Sequence, residues 1–570
     1  MFPETYNKLV IFGSVKRMPN NKKKDGLIMQ AGILAVAGII VRIIGLLYNT
    51  PLTNIIGDEG FGYYSNAYTA YSIVLLISSY SIPSAVSKVI AQKLAKREYR
   101  NAHRIFQCAL IYVLVVGGIA SLFVFFFASY MVDLGGSVLP LRILAPTIFF
   151  SGILGVFRGY FQGMRTMVPT AISQIVEQVA NAVISIGAAV FFIHAFAGGD
   201  ADKIPVFGAM GSAAGIGAGV ITGLLFMLFI YSCNKKYFKK EIQKDDTGVD
   251  SSYKDIFRII FMMVTPVILS TFVYNISTVV DQTLFMDIMG FKRMASETAA
   301  SLYGVFSGKY WVLINVPIAL ANSMSTAMIP AISGSYELKD YKKCRGHVRQ
   351  AIHFTMVISI PAAIGMGALA YPIMEVLFPQ KATIDLAVSI LRTGCISIIF
   401  YALSTVSNGV LQGIGKVNIP LRNAAVSLVL HVVLLTPLLY FTNLNLYALV
   451  FATMFYAFLM CLLNNLSVRK YLGYHQEMKR TFMIPLLSSV IMGILCYVFY
   501  QGIYLILSGI FGSFIHLRIL VFICLMISVG FAVIVYFVLV LKLKGITEAE
   551  LRNFPKGNML VRMAKKSKLL

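Results

Sequence analysis

Residues 105–130 read IFQCALIYVLVVGGIASLFVFFFASY, and this stretch contains no Asp, Glu, Lys or Arg. A helix needs about 20 predominantly apolar residues to cross the hydrocarbon core of a bilayer. The stretch is far longer than the roughly ten residues of a membrane β-strand, and it does not alternate in polarity as such a strand does. Because lipid offers no partner to backbone polar groups, the stretch is predicted to be a membrane-spanning α-helix.

The whole chain has the composition of a multi-pass membrane protein. Its 570 residues are 58% hydrophobic and 13% charged, whereas soluble domains have roughly 45–50% and 25%. These values exclude a soluble enzyme, a disordered protein and a coiled coil. We predict an all-α polytopic fold with 14 transmembrane helices, one for each apolar window: 27–50, 62–91, 105–130, 138–163, 168–195, 206–233, 256–289, 299–333, 347–371, 384–413, 419–441, 445–468, 481–508 and 515–542.

The positions of the basic residues predict the orientation of these helices. The net charge is +25, and the Lys and Arg residues are concentrated in alternate connections such as 93–100 and 235–240. An excess of Lys and Arg marks the cytoplasmic loops of membrane proteins. Both termini are therefore predicted to be cytoplasmic, and the basic excess needs no nucleic-acid partner. The first window has no cleavage-site pattern, so it is predicted to be a permanent helix.

Similar motifs in the two halves predict an internal duplication. Residues 159–163 (GYFQG) recur as 409–413 (GVLQG), and Pro169 and Pro420 follow them. Six windows in each copy would make parallel repeats about an axis along the membrane normal. The predicted organisation is a cytoplasmic tail (1–26), an N-lobe (27–233), a cytoplasmic linker (234–255), a C-lobe (256–470), an additional helix pair (481–542) and a basic cytoplasmic tail (543–570).

Polar side chains inside the windows are the candidate functional residues. A charge at bilayer depth costs at least ~2.5–3.5 kcal/mol on insertion scales, so we favour function over packing for the cations. The amides could equally join helices through hydrogen bonds. The acids are either ion sites or salt-bridge partners. The cations are Arg42, Lys309 and Arg392, the amides are Asn49, Asn275, Gln282 and Asn322, and the acids are Glu177 and Asp281.

No pattern in the sequence indicates a metal, a disulfide or a nucleotide. The seven cysteines are dispersed without a C-x-x-C pair, which predicts free thiols among apolar residues. The segment from Gly304 to Tyr310 has the wrong spacing for a P-loop and lacks its Ser or Thr. We therefore expect no cofactor and no nucleotide, and we expect any transport either to use a membrane potential or a monovalent-ion gradient or to run downhill.

Three motifs resemble those of a known family. They are Val41-Arg42-Ile43-Ile44-Gly45, Ile82-Pro83-Ser84-Ala85-Val86-Ser87-Lys88 and Arg158-Gly159-Tyr160-Phe161-Gln162-Gly163. The chain resembles the polysaccharide-biosynthesis and stage V sporulation protein B-like exporters. These are grouped with the MurJ-type lipid II flippases in the multidrug/oligosaccharidyl-lipid/polysaccharide exporter superfamily.

The resemblance implies a transporter rather than an enzyme, located in the bacterial plasma membrane and working as a monomer. It implies two lobes around a cationic cavity, which move an undecaprenyl-pyrophosphate-linked saccharide, foremost lipid II, to the outer leaflet by alternating access. The last two windows would then form a groove for the polyprenyl tail. Arg42 matches the helix 1 arginine of the flippases, and Lys88 falls close to a basic position of helix 2. Tyr48-Asn49 stands where many flippases have Arg-Asp.

The predicted substrate-binding residues are Arg42, Asn49, Lys88, Asn275, Gln282, Lys309, Asn322 and Arg392, with Glu177 and Asp281 as charge partners. Two alternatives within the superfamily are a flippase for another lipid-linked glycan and a cation-coupled multidrug exporter, which would have a more acidic cavity. A scaffold that transports nothing would tolerate the loss of every intramembrane charge. A membrane glycosyltransferase is a weaker alternative, because its chemistry would often need an acidic metal-binding cluster and the sequence shows no convincing one.

Overall fold

The chain is helical throughout the part that the computed structural model describes, and no strand occurs there. That part comprises residues 22–76, 78, 82–164, 166–243, 245, 247, 252–378, 380–511, 516–551, 561–562 and 565–566. The helices are α1 (Lys22–Leu75), α2 (Ile82–Ala95), α3 (Tyr99–Met131), α4 (Val138–Gly163), α5 (Val168–Phe192), α6 (Ile204–Gln243), α7 (Tyr253–Phe291), α8 (Ser296–Gly304), α9 (Trp311–Glu337), α10 (Tyr341–Ala368), α11 (Ala370–Leu377), α12 (Ile384–Gly394), α13 (Ser397–Gly413), α14 (Asn418–Phe441), α15 (Leu446–Leu472), α16 (Ile484–Phe511), α17 (Leu517–Lys542) and α18 (Glu548–Leu551).

Helix α1 joins two of the predicted windows. The backbone leaves the helical conformation at Gly57, where φ is 73° and ψ is 174°. A residue with a Cβ is strained at such a φ, so glycine allows the kink without a loop. The connection predicted between windows 27–50 and 62–91 is therefore helical. In the second of these windows α1 ends at Leu75 and α2 begins at Ile82, and residues 77 and 79–81 between them lie outside the described residues.

The chain folds into two compact units. The first has the bounds Met1–Ile56 and Tyr63–Val279, and the second has Gly57–Gly62 and Val280–Leu570. In the first unit, α4 packs against α2, α3 and α6, and α5 packs against α6. The core between α2, α3, α4 and α6 includes fully or almost fully buried Ile90, Phe106, Phe161 and Met227.

A row of glycines in α6 allows the close approach of α5. A Cβ at Gly211 would lie 2.2 Å from the backbone nitrogen of Ala189, and a Cβ at Gly215 would lie 1.9 Å from Ser185 Oγ. Small residues at four-residue spacing let membrane helices pack with their backbones in near contact. The row therefore packs two helices, and it fixes which face of α5 stays open.

The second unit has a similar order of helix pairs. Helix α13 packs against α9, α10 and α15, and α14 packs against α15. Its core includes Ile332, Val348 and Val410. Helix α16 packs against α10 and α17. The helix pairs of the second unit occur in the same order along the chain as those of the first unit. The duplication itself stays a prediction.

Eleven helices among the described residues are long and apolar enough to cross a membrane, and the bent pair α12 and α13 would make a twelfth. The count differs from the predicted 14 for identifiable reasons. The first span, Val36–Leu75, covers parts of two windows. Part of α7 lies outside the described side chains. The chain is a multi-pass membrane protein, and 14 spans stay a prediction.

Candidate functional site

In the first unit, two of the predicted cations have exposed side chains. They are Arg42, in the first half of α1, and Lys88, on α2. Asn49 is half-buried, seven residues after Arg42. Residues seven apart lie on the same face of a helix. This face of α1 therefore offers a guanidinium and an amide.

A partly buried ion pair lies in the same unit, between α4 and α5. Arg158 Nη2 lies 2.6 Å from Glu177 Oε2, and Arg158 Nε donates to Ser173 Oγ at 2.9 Å. The side chains are 14% and 27% exposed. The pair compensates the charge of Glu177 locally, so this acid acts as a salt-bridge partner in this conformation.

The polar stripe of α5 continues beyond this ion pair. Asn181 Nδ2 approaches the hydroxyl of Tyr48 at 3.5 Å, and Ser185 Oγ donates to Asn181 Oδ1 at 2.9 Å. Tyr48 is the residue that stands where many flippases have arginine. Its hydroxyl can contribute a hydrogen bond but no charge.

In the second unit, Lys309 is fully buried and paired. Its Nζ lies 2.8 Å from Asp58 Oδ1, with exposed fractions of 0% and 7% for the two side chains. The same Nζ donates to Thr383 Oγ1 at 2.8 Å, and Thr383 Oγ1 donates to Asp58 Oδ2 at 2.5 Å. A buried cation needs such compensation. In this conformation the ammonium charge of Lys309 is therefore neutralised by the carboxylate of Asp58, and it is not available to a substrate.

Close backbone packing fixes the position of Asp58. A Cβ at Gly304 would lie 1.9 Å from the Asp58 carbonyl oxygen, and a Cβ at Gly62 would lie 2.0 Å from the Ala300 carbonyl oxygen. Lys309 itself is in a π-helical segment, Val305–Tyr310. Such π-bulges are frequent at functional positions of helices.

A second buried pair joins α7 to α14. Asp281 Oδ1 contacts His431 Nε2, and His431 Nδ1 lies 2.8 Å from the carbonyl oxygen of Ala452 in α15. The exposed fractions are 4% for Asp281 and 0% for His431. Asp281 thus has a partner within the protein, and three helices contribute to the pair.

The remaining predicted residues of this unit differ in burial. Gln282 is 2% exposed, and neither of its amide atoms has a hydrogen-bond partner among the described residues. Asn322 and Arg392 are exposed, on α9 and α12. The side chain of Asn275 lies outside the described residues. The structure thus distinguishes an exposed cation, Arg392, from a buried one, Lys309.

Four partners were not found from the sequence, and one of them is His431, which pairs with Asp281. Asp58 lies in a stretch assigned to a connection, and Thr383 lies just before a window. Arg158 opens one of the quoted motifs but was not singled out. The signal for Arg158 was available, since an acid lies 19 residues later across a short turn. Asp58 and Lys309 are 251 residues apart, and no sequence pattern joins them.

Among the described residues, no group of three or more His, Cys, Asp and Glu side chains could hold a metal ion. All seven cysteines are free.

More than half of the chain matches the sequence profile of one known family. The profile is that of the polysaccharide biosynthesis proteins, and it matches residues 27–335. The chain belongs to this family. The MatE profile also matches this polysaccharide biosynthesis protein, over residues 266–436.

Two relatives from Bacillus subtilis (strain 168) are similar over much of this family member. "Lipid II flippase MurJ" is 26% identical over 483 residues, which is 81% of this chain and 86% of the relative. "Stage V sporulation protein B" is 26% identical over 357 residues, which is 61% of this chain and 65% of the relative. The family resemblance of the sequence motifs is confirmed.

Solved structures share the fold of this polysaccharide biosynthesis protein. The lipid II flippase MurJ in an inward closed conformation matches with a TM-score of 0.63 at 16% identity. The match covers 89% of this chain and 97% of the MurJ chain. An inward-facing MATE multidrug transporter matches with a TM-score of 0.62 at 16% identity. That match covers 78% of this chain and 98% of the transporter chain. The fold is that of the multidrug/oligosaccharidyl-lipid/polysaccharide exporter superfamily.

Proposed function

We propose that this protein is a flippase that moves an undecaprenyl-pyrophosphate-linked saccharide from the inner to the outer leaflet of the bacterial plasma membrane. The observation that carries the proposal is the similarity to a lipid II flippase over 81% of this chain and 86% of the relative. Lipid II is accordingly the first substrate to test. A flippase for a different lipid-linked glycan is the alternative within the same chemistry, as the sporulation relative suggests.

The chemistry of the substrate explains which residues would act. A pyrophosphate carries negative charge that cannot enter hydrocarbon without partners. Each unit has an exposed cation within its apolar helices: Arg42 in the first and Arg392 in the second. The planar guanidinium can donate two parallel hydrogen bonds to a phosphate, which a lysine cannot. We assign phosphate binding to these arginines, with Lys88 as an additional cation.

Helices α16 and α17 suit contact with the lipid tail. They pack against each other, with the rings of Phe499 and Phe531 stacked at 4.0 Å. Large apolar side chains remain exposed on both, including Leu505 at 69% and Ile534 at 65%. An apolar surface of this kind can hold a polyprenyl chain while the headgroup crosses. The pair would thus serve the tail and not the headgroup.

A multidrug exporter is the second candidate, because MATE transporters have the same fold. Two observations favour the flippase. The MurJ structure covers 89% of this chain, while the MATE structure covers 78%. Three acids within the helices, Asp58, Glu177 and Asp281, each contact a basic side chain. A cationic drug would need an acid that is open to it.

Complementation of a bacterium depleted of its own lipid II flippase tests the proposal. The wild-type chain should restore growth, and Arg42→Ala should not do so at equal protein level. Loss of a charged hydrogen-bonding group costs about 1.5–3 kcal/mol, or about tenfold to hundredfold in affinity. Arg142→Ala is the matched control, since Arg142 is also exposed but lies in the first turns of α4.

The outcomes separate the alternatives. Growth with Arg142→Ala but not with Arg42→Ala supports phosphate recognition by Arg42. Full growth with Arg42→Ala removes this residue from the mechanism. If the wild-type chain restores neither growth nor the exposure of lipid II at the outer surface, lipid II is the wrong glycan, and the same assay is repeated with other undecaprenyl-linked saccharides.

A further inference from the structure

The pair Asp281–His431 contains a proton whose position follows from the hydrogen bonds around it. His431 Nδ1 faces the carbonyl oxygen of Ala452 at 2.8 Å, and a carbonyl can only accept. Nδ1 therefore has its hydrogen. Nε2 faces Asp281 Oδ1 in direct contact. Two lone pairs cannot face each other there, so a further proton lies between Nε2 and Oδ1.

With this proton the pair is neutral. It is either an imidazolium with a carboxylate or an imidazole with a carboxylic acid, and the total charge is zero in both cases. Removal of the proton would leave a single negative charge at a site where both residues are less than 5% exposed. A buried unpaired charge is strongly disfavoured. The conformation described here therefore binds the proton, and its release needs water at the pair.

No other charged side chain in the part of the chain that the structure describes contacts the pair. Besides His431, the described titratable groups that interact electrostatically with Asp281 are two phenols, those of Tyr303 in α8 and Tyr401 in α13. From α15, the ring of Tyr456 lies edge-on to the His431 ring at 5.7 Å. Phenols are neutral at physiological pH. The charge of the site is thus set by its protonation.

A neighbouring amide provides a place for water. Gln282 follows Asp281 in α7, and its two amide atoms have no partner among the described residues although the side chain is 2% exposed. Buried polar groups in this position are usually satisfied by water. Gln282 lies in the same turn of α7 as Asp281, so water bound at its amide would bring hydration into the part of the helix that carries the pair.

We propose that Asp281 and His431 form a proton-binding site, which takes up one proton in this conformation and releases it to water during transport. The coupling to transport rests on the proposed flippase function, whereas proton binding does not. The proton enters the deprotonated pair, carboxylate and neutral imidazole, and the pair becomes neutral. No bond between heavy atoms changes, and no metal ion or redox partner is required.

The single tryptophan of the chain makes proton binding measurable without transport. Trp311 lies edge-on to Tyr401 at 5.7 Å between ring centroids, and Tyr401 is one of the two phenols near Asp281. We would titrate the fluorescence of the full-length chain in lipid nanodiscs with pH. The wild type should show a reversible transition, which Asp281→Asn and His431→Gln should each lose.

His353→Gln is the matched control, because His353 is also buried, at 3% exposure, but contacts Thr481 instead of an acid. It should keep the transition. If Asp281→Asn does not fold, His431→Gln carries the comparison, since the glutamine amide can still donate to a carboxylate. A transition that persists in both variants overturns the proposal. So does a wild-type signal that follows sodium concentration at constant pH.

Reconstituted vesicles separate this proposal from the proposed function. With an undecaprenyl-pyrophosphate-linked saccharide as substrate, an imposed pH gradient should change the rate of flipping by the wild type and not by His431→Gln. If the flipping rate of the wild type does not change with the pH gradient, the coupling of proton binding to transport is refuted. Failure to flip any such lipid, with the fluorescence transition intact, refutes the flippase function and leaves the proton-binding site standing.

Discussion

Replacement of Lys309 by methionine should destabilise the protein strongly. Methionine keeps most of the length of the side chain and removes its charge. Lys309 is fully buried, and its ammonium contacts Asp58 and Thr383. Removal of one partner of a buried ion pair typically costs 3–5 kcal/mol, because the other charge remains in an apolar environment. We expect a loss of about 3–5 kcal/mol in the free energy of unfolding.

A second substitution shows whether the loss comes from Asp58. Apolar replacement of both partners leaves no buried charge, and such replacements are often neutral or stabilising. The variant Lys309→Met with Asp58→Leu should therefore regain most of the loss. The two changes should couple by at least about 2 kcal/mol in a double-mutant cycle. Lys292→Met is the control, since among the described residues the ammonium of Lys292 donates to a carbonyl oxygen, that of Thr442, and not to an acid.

Thermal unfolding in detergent gives the measurement. Cys344 and Cys461 are free and buried in the second unit, so a thiol-reactive dye detects the opening of its core. The order of midpoints should be wild type and Lys292→Met highest, the double variant next, and Lys309→Met lowest. Equal midpoints for Lys309→Met and the wild type would refute the buried ion pair. In that case the ammonium would be hydrated and available to a substrate.

Two further predictions concern packing and pH. Gly215→Ala should lower the free energy of unfolding by about 1–3 kcal/mol, because the added Cβ would lie 1.9 Å from Ser185 Oγ. Gly187→Ala is the control: a Cβ there would have no atom within 4 Å, so this variant should be neutral or slightly stabilised. Equal unfolding midpoints for the two variants would contradict the close contact of α5 and α6. The hydrogen bond from Lys93 lowers the pKa of Glu98. Glu98→Gln should therefore lower the unfolding midpoint at neutral pH, and the difference from the wild type should shrink as the pH falls through the lowered pKa, since a carboxylate with a depressed pKa stabilises only above it. A difference that is independent of pH would contradict the role of its charge.

The helical, membrane-spanning nature of the chain could be predicted from the sequence, because apolar length alone determines it. Residues 105–130 fall within α3, as the composition requires. The kink of α1 could not be predicted, because Gly57 lies in a polar stretch that resembles a loop. The helix continues there since the segment Gly57–Gly62 packs closely against α8, and such packing is a property of the folded chain.

The partners of the polar residues were beyond sequence reasoning for a similar reason. The sequence identified Lys309 and Asp281 as costly inside a membrane, which follows from the free energy of a buried charge. It did not identify Asp58 or His431 as the groups that compensate them, because these lie 251 and 150 residues away. Separations of this size are closed by tertiary packing, which no local pattern encodes.

The distribution of compensated charges sharpens the mechanism. An acid and a base meet in each of three pairs: Arg158–Glu177, which is partly buried, and Lys309–Asp58 and His431–Asp281, which are buried. Each pair is neutral when it holds its protons, so none contributes net charge to its helices. The guanidiniums of Arg42 and Arg392 are exposed, and neither forms an ion pair with another described residue. An anionic headgroup would then be attracted by these exposed cations, while the pair that can change its charge, His431–Asp281, is free to respond to a proton.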